Sequence, residues 1–388
     1  MSIRLRCQSV ALALALATTS LSWAAQAHDD EREARDPVVL SFSTVGDSRQ
    51  DPVAFDPTSA PLSGQDKIWL QNSKAWSRIM RSVEAQKSKL LFFNGDMIMG
   101  YGLAGPTPSN SVADVVSSDL MAFYRQYAFW RGTVAPLMEA GTYVVPVAGN
   151  HEVQSKPLGK KAQVENENAW RANMGDLIID GARFKAIVGT DATNVNVQNN
   201  AAYDGLSTDQ SQLSYSFDVG DSHFAIVNTD PVNNDGVAPA GWLASDLGAA
   251  TGRGAKHFFV FGHKPAYTYY FGTNAPANPG IAGLDKLPAS RDAFWNLIEQ
   301  YGATYFCGHE HVFNMMQPRG GAWQVLVGSG GSPFDAKPGE VTLNSDSDRA
   351  YAWATVKVRR SGKVDIAAYG FSDSFGPTRL LKQVTLDR

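Results

Sequence analysis

Five apolar runs in this chain of 388 residues each end in a glycine that is followed at once by groups able to hold a cation or move a proton. They are Gly46-Asp47, Gly95-Asp96, Gly149-Asn150-His151-Glu152, Gly262-His263 and Gly308-His309-Glu310-His311. Carboxylates, imidazoles and an amide are poorly suited to core packing and well suited to chemistry. Taken alone, Gly149-Asn150-His151-Glu152 reads equally well as a surface turn. Set beside the other four strand ends, it becomes the centre of an active site. By ligand type the set is a metal site. It has no thiolate, and its mixed oxygen and nitrogen donors suit Fe, Mn or Zn rather than Ca or Mg alone. There are more donors than one ion needs, which fits two ions about 3.5–4 Å apart that share one carboxylate.

The elements that must position these residues are legible around them. Val38–Val45, Leu90–Phe93, Tyr143–Ala148, Lys256–Phe261 and Ala303–Cys307 are short and rich in β-branched or aromatic residues, as buried strands are. Between them, Asp66–Lys89 carries Ile68, Trp76, Ile79, Met80 and Val83 at helical spacing, and Asp119–Glu139 carries Leu120, Phe123, Tyr127 and Trp130. A further helix is expected around Phe294, Leu297, Ile298 and Tyr301. Strands that alternate with helices give a layered α/β fold, which binds its ligands at strand ends. Leu213–Phe217 and His223–Asn228 form a hairpin about Gly220-Asp221. Trp323–Val327, Ala352–Val358 and Lys363–Tyr369 close the chain on antiparallel strands, and Gly328-Ser329-Gly330-Gly331 makes a tight turn near the site. Gly100–Ser118 reads as a long loop, usually functional or mobile. Val153–Gln212 is polar and Asn-rich, helical only near Asn166–Met174, and short of apolar residues for a core of its own.

Composition, at 44% hydrophobic and 19% charged, describes a globular chain with a large core. Arg4 and Arg6, the apolar run Val10–Ala17 and Ala25-Gln26-Ala27 have the order of a cleavable secretory leader. The run is too short for a membrane anchor, which needs roughly 20 apolar residues, so no stable membrane insertion is expected. The expected organisation is a leader at 1–27, a charged lead-in at 28–37, and one domain at 38–388 with a polar insertion at about 153–212 over or beside the site. Export to a periplasm or to the medium follows. The net charge is −4 and there is no basic run, which leaves no electrostatic footprint for a nucleic acid polymer. Cys7 leaves with the leader, so Cys307 is the sole thiol and no intramolecular disulfide can form.

The order of the five motifs, from Gly46-Asp47 to Gly308-His309-Glu310-His311, resembles that of the calcineurin-like metallophosphoesterases, which include the purple acid phosphatases. The resemblance spans about residues 38 to 330. It implies a four-layer α/β/β/α sandwich of two mixed sheets with a dinuclear metal centre, of divalent or mixed-valence ions, at the strand ends. Carried over by position, it implies that Asp96 bridges, that Asn150, His263 and His309 hold one ion, and that Asp47 and His311 hold the other. It implies His151 as the acid beside the phosphate. Gly149 is expected to permit a tight turn, and Glu152 to support an imidazole from behind.

Two positions depart from the family pattern. The first motif commonly reads Asp-x-His, whereas Arg49 stands two past Asp47. A guanidinium has no lone pair to give. Either Gln50 supplies an amide oxygen, or that ion has fewer protein ligands and Arg49 grips phosphate instead; the second is favoured. Met99 stands three past Asp96, where purple acid phosphatases carry their chromophoric tyrosine. Elsewhere, His223 and His257 read as structural and Cys307 as a buried small hydrophobe. The cluster Tyr267 to Phe271 either lines a pocket or packs a loop.

The functional expectation is hydrolysis of a small phosphate ester by in-line attack of a metal-bound hydroxide, with a phosphomonoesterase favoured. The alternative is a phosphodiesterase acting on nucleotides or lipid headgroups. From another class, the departure at Arg49 also admits a non-catalytic binding protein on a degenerate phosphoesterase scaffold. Oligomeric state is not encoded in any of these motifs.

Overall fold

Strands buried on both faces read as unbroken apolar runs, and five such runs form the centre of the molecule. The computed structural model describes residues 34–49, 64–199, 204–269, 283–335 and 349–387. The leader, the lead-in up to residue 33, Gln50, Tyr270 and Phe271 lie outside the described residues.

Along the chain come β1 (Val38–Val45), α1 (Gly64–Ala85), β2 (Leu90–Asn94), α2 (Val112–Ser117), α3 (Asp119–Glu139) and β3 (Tyr143–Val147). Then follow α4 (Asn150–Val153), β4 (Gln154–Ser155), β5 (Lys161–Ala162), α5 (Val164–Met174), α6 (Gly181–Val188) and β6 (Thr193–Val197). The hairpin is β7 (Tyr215–Val219) and β8 (Ser222–Ile226), and it leads to α7 (Ala240–Gly252), β9 (His257–Phe261), α8 (Pro288–Gln300) and β10 (Thr304–Cys307). Last are β11 (Phe313–Met316), β12 (Trp323–Val327), β13 (Tyr351–Arg359), β14 (Val364–Phe371) and β15 (Arg379–Leu386).

One sheet has the order β15-β14-β13-β1-β2-β3 and the other β11-β12-β10-β9-β8-β7-β6. Both are mixed. In the first, β1, β2 and β3 are parallel, and in the second, β8, β9, β10 and β12 are parallel. Alternate residues of each central strand face opposite layers, as the strand period of two requires. Leu91 and Phe93 of β2 pack outward on Trp76 of α1 and Trp130 of α3. Phe92 faces inward and stacks on Phe261 of the other sheet at 3.8 Å between ring centroids. Phe258 and Val260 of β9 turn away from that middle layer towards Trp242 and Leu243 of α7 and Phe294 of α8. Helices, sheet, sheet, helices: the architecture is the four-layer sandwich. Each fully buried Phe contributes about 1.5–3 kcal/mol by apolar burial, so the middle Phe cluster locks the two sheets in one register.

The polar segment Val153–Gln212 contributes Ala169 and Trp170 of α5 to the outer core beside α3, and Phe184 of α6 to the middle core. It also holds β6, which pairs with β7 at a sheet edge and is exposed along TNVNV. That exposure explains its faint strand pattern. Cys307 is buried, and Tyr267 packs a loop on α8, 5.3 Å from Trp295 and under the Arg291 guanidinium. Among the described residues, no helix is long and apolar enough to cross a membrane.

Candidate active site

The parallel strands of both sheets run out at one rim, and all the polar strand-end residues gather there. The chain must turn sharply to aim side chains across the gap between the sheets. Asp47, Asp96 and His309 do so with φ of 64°, 56° and 75°, a left-handed conformation that costs a non-glycine residue of order 1–3 kcal/mol. Backbone bonds hold the turns against one another: Asp47 N–H donates to Gly95 O at 2.9 Å, Arg49 N–H to Asp96 O at 2.8 Å, and Gly308 N–H to His263 O at 2.9 Å. The Gly328–Gly331 turn lies against them, with Gly330 N–H donating to Gly46 O at 2.8 Å. Gly149 has φ −105°, so its conformation does not demand glycine. Close approach does, because a Cβ there would lie 2.4 Å from Asp96 Oδ1. The expectation that Gly149 serves a tight turn is corrected accordingly.

Two groups of donors result, and they share one carboxylate. Asp96, His263 and His309 form one, and Asp47, Asp96 and His311 the other; within each, donor atoms lie within 4.8 Å of one another. Asn150 Oδ1 lies 2.8 Å from both His263 Nε2 and His309 Nδ1, so it joins the first group. The His263 ring is oriented from behind, with Nδ1–H donating to Asn94 O at 2.7 Å and Nε2 turned to Asp96 Oδ1 at 3.1 Å. Asp47 Oδ2 accepts the His309 N–H at 2.9 Å. Its Oδ1 is buried with no hydrogen-bond partner among the described residues.

The electrostatics separate the two carboxylates. Burial raises Asp47 well above the usual carboxylate range, with Asp96 adding to the rise. Burial opposes ionisation of Asp96 too, but His151 and His263 outweigh it and hold that carboxyl well below its ordinary value. Against the desolvation of its own ring, Asp96 and Asp47 push His263 up to about 10. Asp47 is therefore a buried carboxyl whose charged form lacks compensating positive charge.

His151 and Arg49 stand at the edge of this pair of groups. His151 Nδ1–H donates to Met99 O, its N–H donates to Asp96 Oδ1 at 3.1 Å, and its Nε2 faces Asp96 Oδ2 at 3.6 Å. Burial pushes the ring down to about 4, a trend that Asp96 opposes and Arg49 reinforces. Arg49 reaches Ser332 Oγ through Nε at 3.0 Å, His151 Nε2 through Nη1 at 3.4 Å and His311 Nδ1 through Nη2 at 3.0 Å.

Glu152 orients no imidazole, which corrects the expectation for it. Its buried carboxylate accepts backbone N–H groups from Asp96 and Gly149 at 2.8 Å each, from Met97 at 2.7 Å and from Ile98 at 3.2 Å. It ties the end of β2 to the end of β3. Burial raises it to about 7, with Asp96 adding to the rise.

Four residues of the site were not singled out from sequence. Tyr101 packs its ring at a tilt against His151, 3.8 Å between centroids, and accepts the Asn150 Nδ2–H at its hydroxyl, reaching the site two residues beyond Met99. Ser332 anchors Arg49, and Asp335 accepts the His311 N–H at 2.7 Å. Lys264, next to His263, is buried and paired with Asp230 at 2.6 Å and with Asp235. The only signal for Tyr101 was its place in a long Gly-rich loop. Asn166 of α5 braces that loop, accepting Ala104 N–H at 2.8 Å and donating to Gly102 O at 3.0 Å.

The donor set fits two cations. A buried, unpartnered carboxylate oxygen beside a shared carboxylate, with imidazoles on both sides, lacks only positive charge. A fixed guanidinium and an imidazole flank the same space, so a phosphoryl group held there would meet cationic or hydrogen-bonding groups on several sides.

Comparison with known proteins adds a family. The family model described as calcineurin-like phosphoesterase matches residues 69–313. No curated protein matches the sequence. Among solved structures, the purple acid phosphatase PPD1 from seeds of yellow lupin (Lupinus luteus) superposes with a TM-score of 0.53 at 14% identity, covering 89% of this chain and 53% of that one. The chain thus spans about half the length of the lupin enzyme, and the likeness is one of fold. A dimetal phosphatase from Danio rerio aligns at 11% identity and TM-score 0.42, with 89% and 99% covered. GAP50, the anchor in the inner membrane complex of Plasmodium, aligns at 13% identity and TM-score 0.41, with 88% of each chain covered.

Proposed function

The chain belongs to the calcineurin-like phosphoesterase family, and on that premise we propose that it is an exported phosphomonoesterase that works with two bound cations. The observation that carries this reading is the pair of donor groups sharing Asp96, with Arg49 and His151 beside them. Asp96, Asn150, His263 and His309 would hold one ion, and Asp47, Asp96 and His311 the other. Fe, Mn or Zn suits such oxygen and nitrogen donors. Bound cations there supply Lewis acidity, lowering the pKa of water and neutralising charge on phosphoryl oxygens.

The chain's own residues do the rest. Arg49, anchored through Nε on Ser332, presents its two terminal nitrogens to phosphoryl oxygens as a fork. His151 holds its ring by Nδ1–H to Met99 O and by the Tyr101 ring, which leaves Nε2 to carry a proton to the departing alkoxide. Burial pushes the ring down to about 4, and a dianionic phosphoryl group beside it favours a proton on Nε2. Tyr101 and Glu152 fix the positions of Asn150 and of the Asp96 loop.

A guanidinium added to two cations supports a monoester over a diester, because a monoester brings two negative charges and a diester one. Export rests on the leader pattern of residues 1–27. Protein reloaded with Mn, Zn or Fe and assayed on p-nitrophenyl phosphate against bis(p-nitrophenyl) phosphate tests the substrate class. Faster turnover of the bis ester would replace the monoester reading with the diesterase one.

A further inference from the structure

We infer that Arg49 makes the two cation positions unequal: the Asp47–Asp96–His311 position is held open until a phosphoryl group draws the guanidinium away. This rests on reading the site as a two-cation phosphoester hydrolase.

The inference comes from opposite demands on one atom. His311 Nδ1 lies 3.0 Å from Arg49 Nη2 and 2.8 Å from the Pro333 carbonyl. A guanidinium only donates and a carbonyl only accepts, so the ring nitrogen satisfies one of them at a time. When Nδ1 lends its lone pair to Arg49, the hydrogen of the neutral ring sits on Nε2, the atom that faces Asp47 Oδ1 at 3.6 Å. That ring has nothing to offer a cation. When Nδ1–H donates to Pro333, Nε2 is free to ligate and Arg49 Nη2 has lost this acceptor. Arg49 and a cation therefore compete for the same imidazole, and repulsion between like charges in a buried site adds to the competition.

The other position has no such rival. His263 gives its Nδ1–H to Asn94 O at 2.7 Å, and its Nε2 faces Asn150 Oδ1 at 2.8 Å and Asp96 Oδ1 at 3.1 Å, which are donors to the same position and not a fixed cation. Lys264, the neighbouring cation in sequence, is already paired with Asp230 at 2.6 Å. The asymmetry is thus built on one side only, by the residue that stands where a further ligand is expected. A phosphoryl group offers Arg49 a better acceptor than an imidazole, so phosphate and the second ion assist each other's binding, and by linkage the assistance is reciprocal.

Equilibrium dialysis of the metal-stripped full chain against Mn²⁺, with bound metal counted, tests this without reference to turnover. Wild-type protein is expected to take a first ion at least about tenfold more tightly than a second, with inorganic phosphate closing most of that gap. Arg49→Met is expected to bind the second ion about tenfold more tightly than wild type in phosphate-free buffer and to lose the phosphate effect. Two equal steps in wild type, insensitive to phosphate, overturn the inference while leaving the hydrolase reading intact. Less than one ion per chain overturns both. Because the phosphate dependence is read on wild-type protein, the test does not depend on the variant folding.

Discussion

Glu152 Oε2 accepts the N–H of Asp96 and the N–H of Gly149, each at 2.8 Å. One buried carboxylate thus sets the ends of two neighbouring strands, and with them the shared donor Asp96 and the pair Asn150-His151. Glu152→Gln keeps size and shape but places an amide NH₂ against N–H groups. The expected cost is about 2–4 kcal/mol, from buried donors left unsatisfied, together with weakened metal retention. Denaturant unfolding of the metal-stripped variant reads the first effect and metal analysis the second. An unchanged unfolding midpoint would remove Glu152 from this role.

Arg49 is assigned to the phosphoryl group as a fork, and a fork can be distinguished from a charge. Arg49→Lys keeps the cation but loses the planar pair of donors. The expected loss in kcat/KM is about tenfold to a hundredfold on p-nitrophenyl phosphate, and smaller on the bis ester. Steady-state kinetics on both substrates check it, and equal losses on the two would argue against Arg49 as the source of monoester preference.

His151 is assigned to the leaving group, so its importance depends on how much help that group needs. His151→Asn is expected to lower kcat by about a hundredfold to ten-thousandfold for an alkyl phosphate. The loss for p-nitrophenyl phosphate, whose phenolate departs readily, is expected to be much smaller. Equal losses on both, with metal content unchanged, would move His151 from proton transfer to ground-state binding.

Away from the site, His223 provides a pH handle on stability. Its Nδ1 lies 2.6 Å from Asp218 Oδ1 and its Nε2 2.9 Å from Asp246 Oδ2, with the ring fully buried. Burial opposes its protonation, but the bonds to Asp218 and Asp246 prevail and raise its pKa above the ordinary value. A raised folded-state pKa means that the stabilisation is complete below the unfolded value of about 6.5 and is lost as pH rises through the folded value. The urea midpoint is therefore expected to fall as pH rises above the unfolded value, and His223→Asn is expected to flatten that dependence and to lower stability at the acid end by about 3 kcal/mol. An identical slope in the variant would place the titration elsewhere.

The central strands were legible because both their faces are buried. Leu90-Leu91-Phe92-Phe93 has no polar residue to blur it, and the polar group that ends such a run is conspicuous. That is why Asp47, Asp96, Asn150, His151, His263, His309 and His311 could be named, and the structure gathers them at one rim. Elements with weaker contrast were missed. α7 (AGWLASDLGAATG) hides its buried Trp242, Leu243 and Leu247 among small residues, and β15 is mostly exposed along its length. Tyr101, Ser332 and Asp335 come from loops, where the path to the site is set by tertiary contacts such as those of Asn166 and not by any local period. Glu152 is expected from sequence to support an imidazole from behind. The backbone N–H groups it serves belong largely to another strand end, which adjacency in sequence does not reveal.

Stripped protein reloaded in steps, with bound metal and p-nitrophenyl phosphate hydrolysis measured on the same samples, addresses the proposal that two cations and Asp47, Asp96, Asn150, His263, His309 and His311 make this a phosphomonoesterase. The predicted result is no hydrolysis by the stripped chain and a rate that rises with metal content to a plateau at two ions per chain. Hydrolysis undiminished by stripping, or a chain holding two ions that cleaves no phosphate ester, would contradict it.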